Sequence, residues 1–194
     1  MGLAPGPGQQ SGPTGRGWGS RNWDSPFGSV PSGSLTLDEA LGTAGYPRNH
    51  ITELFGPEGS GKTTLAMEAV AALQALGGCA LIHDVEQSWD DSRATALGIR
   101  PETAFIARPV HGEDAMDIAE EVLRSGAIDL VVIDSLTAWL PPEEYEHSLP
   151  VDFGERQAES TRRAIVRLAA VGRQKHSALL VTNQLRGRRS EGYS

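Results

Sequence analysis

The stretch GPEGSGKTT, Gly56 to Thr64, constrains this chain more than any other. It follows a short β-rich run, HITELF, and leads into KTTLAMEAVAALQALGG, which has helical periodicity and a double-glycine stop. From Gly56 to Thr63 it fits the pattern G-x-x-x-x-G-K-[ST], in the strand–turn–helix setting that the pattern requires. Gly56, Gly59 and Gly61 permit a tight turn whose N–H groups converge on phosphate oxygens. A helix starting near Gly61 adds its positive end to the same anion. Lys62 has the reach for the β- and γ-phosphates, and the Thr63 hydroxyl suits Mg²⁺. The expected contacts for ATP are therefore Gly56, Pro57, Glu58, Gly59, Ser60, Gly61, Lys62, Thr63 and Thr64. A glycine-rich turn without a ligand is the bland alternative, and the flanking strand and helix count against it.

The rest of the chain alternates strand and helix patterns. SLTLDEALG reads as a capped short helix stopped by Gly42. CALIHDVE and TAFIAR read as strands, EDAMDIAEEVLRSG as a helix and IDLVVIDS as an apolar strand. A helix over about Glu155 to Arg173 precedes a last strand, SALLVTNQ. Strands apolar on both faces, separated by helices, predict an α/β fold: a three-layer P-loop NTPase core with a mostly parallel central sheet of about five strands. Residues 1–28, rich in Gly, Pro and Ser, are expected to form a flexible tail, and 29–194 the core. LVVIDS places Asp134 at the carboxyl edge of the sheet, where such folds bind ligands. A lone strand-end aspartate is usually a cap. Beside a phosphate loop, Asp134 is expected to join Thr63 as a Mg²⁺ ligand, with Ser135 next to it.

Composition narrows the function classes. A chain of 194 residues suffices for one domain. The net charge of −8 argues against a bulk electrostatic clamp on nucleic acid, although RRAIVRLAAVGRQK and RGRR are local basic runs. The first of these runs reads more simply as the solvated face of a helix. No apolar run approaches a membrane span. The single cysteine, Cys79, forms no internal disulfide, so a cytoplasmic location is the default expectation, and Cys79 itself reads as a small buried strand residue. The five histidines show no metal-ligand spacing.

Several separated motifs then resemble one family, the RecA recombinases. They are SGSLTLDEALGTAGYPRNHITELFGPEGSGKTTLA, DVEQSWDDSRATALGI, RSGAIDLVVIDSLTAWLP and VTNQLRG, in that order, over about Ser32 to Gly187. The resemblance implies that Glu86 activates the attacking water, which adds it to Lys62 of the phosphate loop as a catalytic residue. It implies that Gln184 senses the γ-phosphate, from a strand lying between the phosphate-loop strand and the Asp134 strand. It places Asp90 near the base and Arg93 where the family has a stacking tyrosine. The family's first DNA-binding loop corresponds here to an acidic run with Glu143, Glu144, Glu146 and Asp152, poorly suited to phosphate contacts. NQLRGRRSEGYS resembles the opening of the second DNA-binding loop, with Arg186, Arg188 and Arg189 as phosphate contacts and the family's C-terminal part not represented.

Two readings stay open at this point. One is a Mg²⁺-dependent ATPase of DNA recombination or repair, with ATP and single-stranded DNA as ligands and further copies of itself as partner. The other is a nucleotide-dependent regulator that hydrolyses little, exchanges no strands and engages a protein partner such as a full-length RecA-like chain. Neither involves a membrane.

Overall fold

The structure, a computed structural model, describes residues 28–109, 112–136 and 153–184. Two short strands, β1 (Ser29–Val30) and β2 (Tyr46–Pro47), pair antiparallel and flank helix α1 (Leu35–Leu41). The side chain of Ser34 caps the start of α1 at Leu37 N–H and Gly42 ends it in the left-handed region, so the helix is capped and stopped as its sequence reads. The chain then runs through β3 (Ile51–Gly56), α2 (Lys62–Ala75), β4 (Ala80–Asp84), α3 (Asp91–Ala96) and β5 (Ala104–Ala107). It continues with α4 (Gly112–Ser125), β6 (Leu130–Asp134), α5 (Phe153–Lys175) and β7 (Ala178–Gln184).

The last five strands form one parallel sheet in the order β3-β7-β6-β4-β5. Parallel neighbours need crossover helices, which cover both faces of the sheet. The inner strands β4 and β6 are therefore buried throughout, which explains why they read as continuous apolar runs. The strand ending at Gln184 lies between β3 and β6, the position the resemblance implies.

Each face has its own core. Ala66, Val70 and Leu73 of α2 pack with Ile82, Val132 and Leu180 on one side. Ala119 and Leu123 of α4 and Leu168 of α5 pack with Val131 and Leu179 on the other. Val30 and Tyr46 join the α2 core, with Leu37 against it, so the β1–α1–β2 segment also contributes to the apolar layer around this helix. Gln74 of α2, 1% exposed, is satisfied by Arg100 and Thr103.

Two details depart from the sequence expectations. Helix α3 and the β1–β2 pair were not foreseen, because neither is long enough to show a period. Cys79 is half-buried and precedes β4 by one residue, so it is not a strand residue. The basic run on α5 lies on an exposed helix face, as expected, and its arginines make ion pairs there: Arg162 and Arg163 each lie 2.9 Å from Glu159, and Arg167 reaches Asp117 and Glu120 of α4. Among the described residues, no helix is long and apolar enough to cross a membrane.

One polar residue stands out in the sheet. His83 of β4 is fully buried, and neither ring nitrogen has a hydrogen-bond partner. Burial lowers its pKa from 6.5 to about 4, a difference of about 3 kcal/mol between protonation states. The unfolded chain thus takes up this proton at a higher pH than the folded one. Stability from this residue is level above pH 6.5 and falls as pH drops toward 4. In denaturant titrations, His83→Leu is expected to flatten that fall and to stay within about 2 kcal/mol of the parent at pH 7.5. An unchanged pH profile would mean that another group titrates.

Candidate nucleotide site

The site is assembled at the carboxyl ends of β3, β7, β6 and β4. Side chains alternate along a strand, so residues two apart share a face. Ile82 and Asp84 of β4, Val132 and Asp134 of β6, and Leu180, Thr182 and Gln184 of β7 fall on the α2 face by this rule, with Ile82, Val132 and Leu180 in the α2 core. The apolar members hold the helix and the polar ones gather at its N-terminus.

The loop between β3 and α2 turns through Gly59 (φ +74°) and Gly61 (φ +93°), a conformation that other residues adopt only under strain. Gly61 is the N-cap of α2 and supplies no side-chain cap, so the first-turn amides face the cleft uncapped by a side chain. Lys62 Nζ donates to the carbonyls of Pro57 at 2.9 Å and Gly56 at 3.2 Å. Its ammonium is thereby held over the loop.

Asp134 is only 5% exposed and both its oxygens are engaged. Thr63 Oγ1 donates to Oδ2 at 2.7 Å, and the Thr182 hydroxyl donates to Oδ1. The Asp134 carbonyl accepts from the N–H groups of Val85, at 2.9 Å, and Glu86, at 3.3 Å. The Asp134–Ser135 peptide is cis. Glu86 Oε1 in turn accepts from Gln184 Nε2 at 3.0 Å and from the Ser135 hydroxyl.

An open cleft of about 250 Å³ lies in front of these groups, lined by Lys62, Thr63, Glu86, Arg93, Asp134 and Gln184 among others. Most of the residues singled out in the sequence thus meet around one space. Glu58, Gly59, Gly61 and Thr64 also line it, whereas Gly56, Pro57 and Ser60 form the loop behind. Arg93 donates to the Thr64 hydroxyl at the start of α2. Asp90 does not line the cleft. Its carboxylate caps α3, accepting from Ser92 N–H at 2.8 Å and Arg93 N–H at 3.2 Å. Arg186, Arg188 and Arg189 lie outside the described residues, as do Glu143, Glu144, Glu146 and Asp152.

A hydroxyl and a carboxylate side by side are hard oxygen donors, which suit Mg²⁺ completed by water and phosphate oxygens. Among the described residues, no cluster of three or more His, Cys, Asp or Glu could hold a metal by itself.

A sequence profile of the RecA N-terminal domain matches residues 18–190. The chain belongs to the RecA family. It is 43% identical over 157 residues to Protein RecA of Treponema denticola, covering 81% of this chain and 38% of that one. Against Protein RecA of Borrelia duttonii the identity is 40% over 167 residues, covering 84% and 46% respectively. Against Protein RecA of Bacillus velezensis it is 43% over 164 residues, covering 84% and 47%. The chain therefore spans a little under half the length of these curated RecA relatives.

Thr182 escaped the sequence reading of this RecA-family site. The available signal was its spacing: two residues before Gln184 on one strand, it must share that residue's face. Thr182→Val removes a donor from a buried carboxylate and is expected to cost about 1–3 kcal/mol, read as a lower melting temperature. Thr182→Ser should recover most of it, and equal losses in both variants would assign the effect to packing.

Proposed function

We propose that this chain is the ATP-binding and ATP-hydrolysing core of a RecA-type protein of DNA recombination and repair, working with Mg²⁺. The observation that carries the reading is the hydrogen bond from Gln184 to Glu86 in the cleft that Lys62 also lines. It joins an acid suited to proton transfer with the last residue of a strand that leads directly to Arg186, Arg188 and Arg189.

In this reading the uncapped amides of α2 and the Lys62 ammonium bind the triphosphate. Thr63 and Asp134 hold Mg²⁺, which when bound offsets negative charge on the β- and γ-phosphates. Glu86 accepts the proton of the water that attacks the γ-phosphorus, and its bond from the Ser135 hydroxyl holds the carboxylate for that task. Asp90 acts at one remove, by fixing α3 and hence Arg93 at the cleft wall. Arg186, Arg188 and Arg189 contact DNA phosphates without reading sequence. Transition-state charge on the γ-phosphate is commonly met by a cation from a neighbouring subunit, worth ~10³–10⁵ in rate, so turnover by the isolated chain is expected to be slow. A regulator without hydrolysis would have no use for an acid held at this point, which favours the enzyme.

Hydrolysis of ATP by the purified chain, with and without single-stranded DNA, tests the proposal. Lys62→Ala is expected to abolish nucleotide binding. Glu86→Gln should bind ATP within about twofold of the parent and lose roughly a hundredfold or more of turnover. Equal loss of binding in both variants would remove Glu86 from the proton-transfer role.

A further inference from the structure

Asp84 ends β4 as the register partner of Asp134 on β6. It does not line the cleft, and it is only 2% exposed. A buried carboxylate is tolerated where donors surround it. Here Oδ1 accepts from Ser88 N–H at 2.8 Å, and Trp89 N–H approaches Oδ2 at 3.2 Å and Oδ1 at 3.3 Å. Arg108 Nε completes the set, 3.0 Å from Oδ2. The two amides belong to the turn that carries Glu86. The guanidinium comes from the residue just past β5.

That turn hangs from two aspartates. The Asp134 carbonyl accepts from Val85 and Glu86 and holds its first half. The Asp84 carboxylate accepts from Ser88 and Trp89 and holds its second half. Between them Gln87 takes a left-handed φ of +53°, a conformation that needs its surroundings to hold it. The Trp89 side chain packs against the α2 core and anchors the far end.

We infer that the Asp84–Arg108 ion pair is a positioning device that keeps Glu86 in place for the hydrolytic step, an inference that rests on the ATPase reading above. Three carboxylates, on Asp84, Glu86 and Asp134, sit at neighbouring strand ends and repel one another. Arg108 offsets the charge of Asp84, the one that does not line the cleft. Without it Asp84 gains by turning toward solvent, and the Ser88 and Trp89 amides lose the acceptor that fixes the turn. The Arg108 side chain is 52% exposed and lines no part of the cleft, so it acts on Glu86 only through Asp84.

The test compares Arg108→Ala, Arg108→Lys, Asp84→Asn and the Arg108→Ala/Asp84→Asn double variant in the full chain. Arg108→Ala is expected to lower kcat for ATP roughly tenfold or more, because small displacements of a reacting group are costly. Its Kd for a non-hydrolysable ATP analogue should stay within about twofold, and Arg108→Lys should restore most of the rate. The double variant should be no slower than the slower single one, as for groups acting as a unit. Amide exchange at Ser88 and Trp89 should quicken in Arg108→Ala while the rest of the sheet is unchanged. Unchanged turnover or unchanged exchange in Arg108→Ala would overturn the inference, and so would a parallel loss of binding and turnover. A parent chain without turnover, whose Arg108→Ala variant still exchanges faster at Ser88 and Trp89, would overturn the ATPase reading and leave the turn-holding role standing.

Discussion

Asp134 is the residue on which the rest of the site depends. Its carboxylate is buried, and such a group needs a donor on each oxygen. Thr63 from α2 supplies one and Thr182 from β7 supplies the other. Its carbonyl then accepts the first two N–H groups of the Glu86 turn. One residue therefore fixes the phosphate-loop helix, the strand leading to Gln184 and the acid opposite, all relative to β6. Loss of either threonine would loosen more than one hydrogen bond, because the same aspartate sets the direction of the others.

The electrostatics of the cleft follow from this crowding. Lys62 and Arg93 line it alongside Glu58, Glu86 and Asp134, in a chain of net charge −8. The two cations are held in different ways. Lys62 leans on loop carbonyls, which carry only partial negative charge and leave the ammonium a net attraction for an anion. Arg93 leans on the Thr64 hydroxyl, at the α2 end of the cleft. A guanidinium there offers charge and a flat face together.

How much of this could be read from the sequence depends on how local each cause was. The phosphate loop, its helix and the apolar strands were legible because their causes lie within a few residues: glycine torsions, a 3.6-residue period, and burial on both faces. Asp134 and Gln184 were legible as strand ends. Helix α3 was not, since six residues show no period and its start is set by the Asp90 side chain. The bond between Thr182 and Asp134 needed the strand order, and the ion pair between Asp84 and Arg108 needed the β4–β5 pairing across 24 residues. His83 gives no local signal within CALIHDVE, and only the coverage of that sheet face by α4 and α5 makes it an unsatisfied buried ring.

The Gln184–Glu86 bond sets a limit on how nucleotide state could be transmitted. A ligand shifts a conformational equilibrium only by binding one state better than the other. The Gln184 amide has two N–H donors on a single planar group, and one of them is engaged by Glu86. A γ-phosphate that draws this amide away must offer a better acceptor than a carboxylate already 3.0 Å distant, and a charged phosphate oxygen beside Lys62 meets that condition. The swap would move the end of β7 and free Glu86 from the Gln184 donor, while the Ser135 hydroxyl still holds it. Sensing and catalysis would then share one side chain, with Asp134 and Ser135 as the fixed frame against which it moves.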